Sequence, residues 1–252
     1  MVPWPVLTVA GGAIGLGLGL FGVGGSSVAT PVLSLLGVPG LAAIASPLPA
    51  TIPSALVAAR PYLRDGTARP KAAGWTLLGG IPATIVGALL SHVIGAGPLL
   101  VLSGLVLVIV GVRVIRPIHD DARAVGTQRR QNRPLLVAAA AGVGLFTGLL
   151  ANGGGFLLVP MYLLVFGLRM RQAVGTSLLV VAVLSIPTLI THWALGHIDW
   201  TVAAAFGAGL LPGGAIGSHF ARRFAGPWVR KAFGYFLIAF GTFFTIYRIF
   251  GA

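Results

Sequence analysis

The first charged side chain in this sequence is Arg60; no Asp, Glu, Lys or Arg precedes it. A water-facing surface needs ionised groups, so this opening stretch cannot wrap a soluble core. At about 1.5 Å rise per helical residue it can cross a hydrocarbon layer of about 30 Å two or three times. The pattern recurs. Residues 72–112, 134–168, 172–198, 200–221 and 232–247 also lack Asp, Glu, Lys and Arg. The formally charged residues all sit between or at the edges of these blocks. In lipid the backbone must satisfy its own polar groups, which leaves helices or a closed barrel. Barrel strands alternate apolar and polar residues, whereas these blocks are apolar all round. The expectation is an all-α polytopic membrane protein, and a mean hydropathy of +0.97 agrees.

A net charge of +13 invites comparison with nucleic-acid binders. The charge is spread through short loops, where the positive-inside bias of membrane proteins accounts for it, so no nucleic-acid partner is expected. With no cysteine, thiolate chemistry and disulfides are excluded. No cofactor and no metal are expected. The first residues lack the cationic region of a signal peptide, so the first apolar block is read as retained.

The sequence contains itself twice. Gly15–Pro31 reads GLGLGLFGVGGSSVATP and Gly144–Pro160 reads GLFTGLLANGGGFLLVP, with 7 of 17 positions identical when Gly15 is set on Gly144. The correspondence continues with small slips through Pro82/Pro212, Gly87/Gly217 and Gly111/Gly241. Each half divides into five apolar elements, roughly 4–22, 24–37, 41–59, 72–94 and 98–115, then 135–151, 153–168, 172–192, 200–221 and 228–248. The second element of each half is short for a span, so it either spans briefly or re-enters, giving 8–10 spans. This organises the chain as a first repeat (1–116), a cytoplasmic linker (117–133) and a second, inverted repeat (134–252).

Loop charge supplies the orientation. Segments 60–71 (net +3) and 113–133 (net +4) are expected in the cytoplasm, with the loop around Asp199 outside. The loop after the third element then faces opposite sides in the two halves. That inverted repeat is a common build of secondary transporters, and it places both termini outside a plasma membrane.

The site is expected at the glycine clusters: Gly22, Gly24, Gly25, Ser26 and Ser27 in one half, and Asn152, Gly153, Gly154 and Gly155 in the other. Consecutive glycines interrupt a helix at about 1 kcal/mol each relative to Ala. Within a membrane such a break is tolerated only where it is buried or lines a cavity. The N–H groups that open the following helix attract anions. Two such ends, related by the repeat, make an uncharged site for a small anion. Ser26, Ser27 and Asn152 would add donors, and Ser46, Thr176 and Ser177 could line the same cavity. Gly11, Gly15 and Gly19 have small-xxx-small spacing and are read as helix packing.

At these residues the chain resembles the sulfite exporter TauE/SafE family, also called the toluene-sulfonate uptake permease superfamily. The resemblance rests on Gly153-Gly154-Gly155 with Pro160, on Arg171-Gln172-Ala173-Val174-Gly175-Thr176-Ser177-Leu178, and on Gly22-x-Gly24-Gly25 through Pro31. It implies transport of small sulfur-containing or organic anions such as sulfite or sulfonates. The first half departs from the family pattern at Ser26-Ser27 and at Ala45-Ser46-Pro47.

No Asp or Glu lies inside a span, and no motif joins Ser to His, so an embedded enzyme is not expected. His92, His192 and His219 are the titratable groups in or beside spans, at neither repeat-related nor metal-ligand spacing. Arg169 and Arg171 are read as topology signals. Export of a monovalent anion from a negative-inside cell gains about 2.3 kcal/mol per 100 mV without a coupling ion, so the expectation is an exporter or facilitator with little proton coupling. The alternative is a non-transporting or partner-dependent membrane subunit, with a membrane-embedded enzyme behind it.

Overall fold

The computed structural model describes residues 2–21, 26–115, 133–151, 155–164, 166–224 and 227–250. They form eleven helices and, among the described residues, no strand. The first half holds α1 (Trp4–Phe21), α2 (Ser26–Leu35), α3 (Gly40–Ala45), α4 (Leu48–Arg64), α5 (Pro70–Ile94) and α6 (Ala96–Ile115). The second holds α7 (Arg133–Leu150), α8 (Gly155–Leu164), α9 (Met170–Ala194), α10 (Trp200–Phe224) and α11 (Pro227–Phe250). Five helical segments among the described residues are long and apolar enough to cross a membrane, including α3 and α4 taken together as Gly40–Arg64. Except for Arg133, the linker expected over 117–133 lies outside the described residues.

The third element of the first half is longer than its apolar block and is divided. Ser46 and Pro47 both keep right-handed helical backbone between α3 and α4, so the junction is a kink within one span. The helix then runs on to Arg64, because a cation in the last turn is favoured by the helix dipole and a long side chain can reach water.

Boundaries match between the halves in the register that sets Gly15 on Gly144. The last residues of α1 and α7, Phe21 and Leu150, fall on each other. So do the first residues of α2 and α8, Ser26 and Gly155, and their last, Leu35 and Leu164. Each of these two short helices has 10 residues. Such a helix rises only about 15 Å, half a hydrocarbon layer.

Packing crosses between the halves. α1 lies along α10, α7 lies along α5, and α6 lies along α11. The seams are built from glycine. Gly11, Gly15 and Gly19 of α1 rest on the backbone of Phe206, Leu210 and Gly214 in turn, so α1 and α10 run parallel. Gly144 and Gly148 of α7 rest on Gly80 and Thr84 of α5 in the same way. The return contacts also correspond: Gly217 meets Leu16, and Gly87 meets Leu145. A Cβ at any of these positions would collide with backbone, so glycine is needed for the close approach. Each seam carries a hydroxyl bond, from Thr8 Oγ1 to the Ala205 carbonyl (2.9 Å) and from Thr84 Oγ1 to the Gly144 carbonyl (3.0 Å).

Between the two pairs stand α4 and α9, which pack on each other antiparallel. Tyr62 near the end of α4 fills the space over Gly175 near the start of α9. The small residues Ala55, Ala58 and Ala59 face Val174, Leu178 and Val181 in one buried cluster.

Candidate functional site

Two breaks between helices frame the site. α1 stops at Phe21 and α2 starts at Ser26; α7 stops at Leu150 and α8 starts at Gly155. Gly22, Gly24, Gly25, Asn152, Gly153 and Gly154 lie outside the described residues. Ser26 and Ser27 form the opening of α2, and Gly155 is buried at the opening of α8. Ala151 closes α7 in the left-handed region at φ 48° and is fully buried. An L residue tolerates that conformation only where its surroundings enforce it. Helix α7 therefore ends abruptly just before the glycine cluster.

The hydroxyls of Ser46 and Thr176 are not side by side. Thr176 Oγ1 accepts the Arg69 N–H ahead of α5 (2.9 Å), and Ser46 Oγ accepts the Asp199 N–H ahead of α10 (3.0 Å). The two bonds are mates. The register that pairs Pro82 with Pro212 and Gly87 with Gly217 also pairs Ser46 with Thr176 and Arg69 with Asp199. Each hydroxyl at the third element of one half thus ties down the start of the fourth element of the other. Ser177 is buried, with its hydroxyl donating to the Val174 carbonyl at 2.8 Å.

Sequence reading passed over Ser54 on α4 and Ser185 on α9. Both hydroxyls are buried with no hydrogen-bond partner among the described residues. Counting back from the Tyr62–Gly175 contact, the antiparallel register sets them roughly a turn or less apart in height, midway along the bundle. Serine is too common in helices to signal this from sequence. A buried hydroxyl left without a partner costs about 1–3 kcal/mol, which favours a polar guest at that depth.

The ends of the bundle differ in charge. At one end, Arg60, Arg64, Asp65, Ser218 and His219 line a cleft of about 190 Å³ between α4 and α10. Arg171 pairs with Asp65 at 3.4 Å across the same end, with both side chains well exposed. Such rim pairs contribute little to stability, but a basic mouth concentrates anions. The other end carries Asp199, whose carboxylate caps α10 by accepting the N–H groups of Thr201 (2.9 Å) and Val202 (3.1 Å).

That second end also gathers histidine. His92 closes α5, His192 closes α9, and His197 sits in the turn between α9 and α10. His197 contacts both of the others, at 3.2 and 3.0 Å. Its position follows the left-handed Gly196, a turn that no periodicity announces. His219 lies at the opposite end, in the basic cleft.

Residues 7–244 match the sulfite exporter TauE/SafE family. The chain belongs to that family. Among its relatives is a probable membrane transporter protein of Xylella fastidiosa strain 9a5c, 32% identical over 244 residues, covering 91% of this chain and 90% of the relative. The probable membrane transporter protein YunE of Bacillus subtilis strain 168 is 27% identical and covers 86% and 87% of the two chains. No solved structure gives a significant match. As a TauE/SafE member with several apolar spans, the protein is a multi-pass membrane transporter.

Proposed function

We propose that this TauE/SafE protein is a secondary transporter of small anions such as sulfite or sulfonates, acting by alternating access about its two glycine-rich helix breaks. The observation that carries this reading is the matched pair of helix breaks, between α1 and α2 and between α7 and α8, with equal helix lengths and a single register. Paired breaks at corresponding positions are the best sequence-level pointer to a transporter site. The amides of Gly24, Gly25, Gly153, Gly154 and Gly155, with Ser26, Ser27 and Asn152, hold the anion. Ser46, Thr176 and Ser177 line the way from the two ends.

The crossed seams and the crossed Ser46 and Thr176 bonds support an inverted repeat, with 1–116 and 134–252 as its halves. The basic cleft supports a cytoplasmic mouth at the Arg60–Arg64 end, which puts Trp4 and the end of α11 outside. Membrane potential alone drives a bare monovalent anion outward.

The test is anion flux into vesicles reconstituted with the purified chain alone. Gly154→Leu should abolish flux while the protein stays folded in the membrane. Undiminished flux in Gly154→Leu vesicles would overturn the site. Flux that appears only when a second protein is added would favour the partner-dependent alternative.

A further inference from the structure

The three histidines at the Asp199 end make a directed chain of hydrogen bonds. His192 Nε2 lies 3.3 Å from the Gly148 carbonyl, which can only accept, so this nitrogen carries the hydrogen. In the neutral ring His192 Nδ1 is then an acceptor, and His197 Nδ1–H donates to it at 3.0 Å. His197 Nε2 is in turn an acceptor, and His92 Nδ1–H donates to it at 3.2 Å. The neutral chain thus has one tautomer per ring, with all three hydrogens pointing inward. His92 is exposed, His197 is 8% exposed, and His192 is fully buried. His197 offers a different nitrogen to each neighbour, so the rings do not converge on one metal position. Among the described residues, no group of three ligands suits a metal ion.

We propose that His92, His197 and His192 form a proton path from the Asp199 end of the bundle to the end of α7, and that a proton travels with the anion. The inference rests on the transport reading above. A proton from water joins His92 Nε2. The Nδ1 hydrogen of His92 passes to His197 Nε2, and the Nδ1 hydrogen of His197 passes to His192 Nδ1. His92 and His197 end neutral with their tautomers exchanged, and His192 holds the added proton as imidazolium. One proton enters, none is lost, and no co-reactant is needed.

The destination suits a coupling group. Gly148 stands in the last turn of α7, where the partial negative end of the helix favours a cation, just ahead of Asn152. A buried imidazolium is costly unless an anion sits with it, so each guest stabilises the other. Few other charges face the chain. α5 contributes only His92 at this end. Described α7 carries Arg133 at the far end, and α9 carries Arg171 there. Tyr162 of α8 bonds Thr76, well away from this end, at 2.9 Å. Arg113 closes the far end of α6, and Arg248, in the last turn of α11 at the Asp199 end, donates to Ser34 Oγ. Ahead of α10 lies Asp199, whose carboxylate is held by the Thr201 and Val202 amides. The missing intramembrane acid, which argued from sequence for an uncoupled carrier, is replaced by His192 and a relay partner in a turn.

The experiment reconstitutes the full chain in vesicles with a trapped pH dye and imposes a gradient of methanesulfonate or sulfoacetate. A sulfonate group stays ionised in water, so protons moving with methanesulfonate do not ride on the anion. The wild type should move protons in step with the anion. His192→Gln keeps a donor for Gly148 and an acceptor for His197 but cannot titrate, and should lower the proton-to-anion ratio at least ten-fold. The exposed His92→Gln variant should do the same and guards against misfolding of the buried one. An unchanged ratio in both variants, or anion flux without protons in the wild type, overturns the proposal. If no anion moves in any vesicle, the transport reading fails, and nitrogen-15 histidine spectra in detergent still decide the path. An Nε2–H tautomer at His192 with Nδ1–H at His197 and His92 is expected; any other set of tautomers overturns it.

Discussion

Asp199 shows how much one side chain can organise. Its carboxylate caps α10 while its own amide is held by Ser46, so a single residue joins the two halves of the chain at one end. Asp199→Ala should cost about 1 kcal/mol. Such a loss lowers the melting temperature by about 2–4 °C in a chain of this size, readable by thermal denaturation in detergent. Asp199→Asn, which can still cap, should stay near the wild type. His197, in the turn just before, is held below the ordinary histidine range by burial and by the neighbouring His92. Its neutral form is thus favoured by folding. The resulting stability is complete above about pH 6.5 and is lost as pH falls from the unfolded value through the lower folded one. His197→Gln should flatten the fall in melting temperature between pH 7.5 and 5; an identical slope in variant and wild type would count against that reading. At this scale the sequence marks Ser46 and Thr176 as polar residues in apolar blocks. Their partners, Asp199 and Arg69, are 153 and 107 residues away and belong to the opposite half, so no local pattern names them.

Between elements, glycine decides which helices touch. The four-residue spacing of Gly11, Gly15 and Gly19 is legible as a packing stripe, and the structure seats that stripe on α10. The choice of α10 as partner is not legible, because the spacing describes one helix face and says nothing about what covers it. Two positions on α7 separate packing from propensity. A Cβ at Gly142 meets nothing within 4 Å, whereas one at Gly148 meets backbone of Thr84 and Ala88. Gly142→Ala should leave stability unchanged or raise it by up to about 1 kcal/mol. Gly148→Ala should lower it by about 1–3 kcal/mol, since the obstructing atoms are main chain and cannot swing aside. Folded yield and melting temperature in detergent compare the two directly. The same scale explains why the histidine chain escapes a reading of spans alone. His92 and His192 stand at helix ends in plain view, but the ring that connects them sits in a turn after Gly196, where neither helical nor strand period applies.

For the whole molecule, the membrane character is the most legible property, because a hydrocarbon solvent excludes charge over lengths that no other feature imitates. Charge placement also yields a prediction for sidedness. The chain has no native cysteine, so single substitutions report cleanly. Gly97→Cys, exposed in the first turn of α6, should react with an impermeant maleimide added outside intact cells. Lys71→Cys, exposed at the other end of α5, should react only after the cells are opened. The reverse pattern would invert the orientation. The glycine seams reach further. Each joins a helix from one half of the sequence to a helix from the other, with main chain close against main chain at the glycines. α1 with α10, and α5 with α7, are therefore expected to move together as pairs. Under the alternating access proposed above, exchange divides the protein into two bodies that each mix helices from both halves of the sequence, with the slip plane where α4 meets α9.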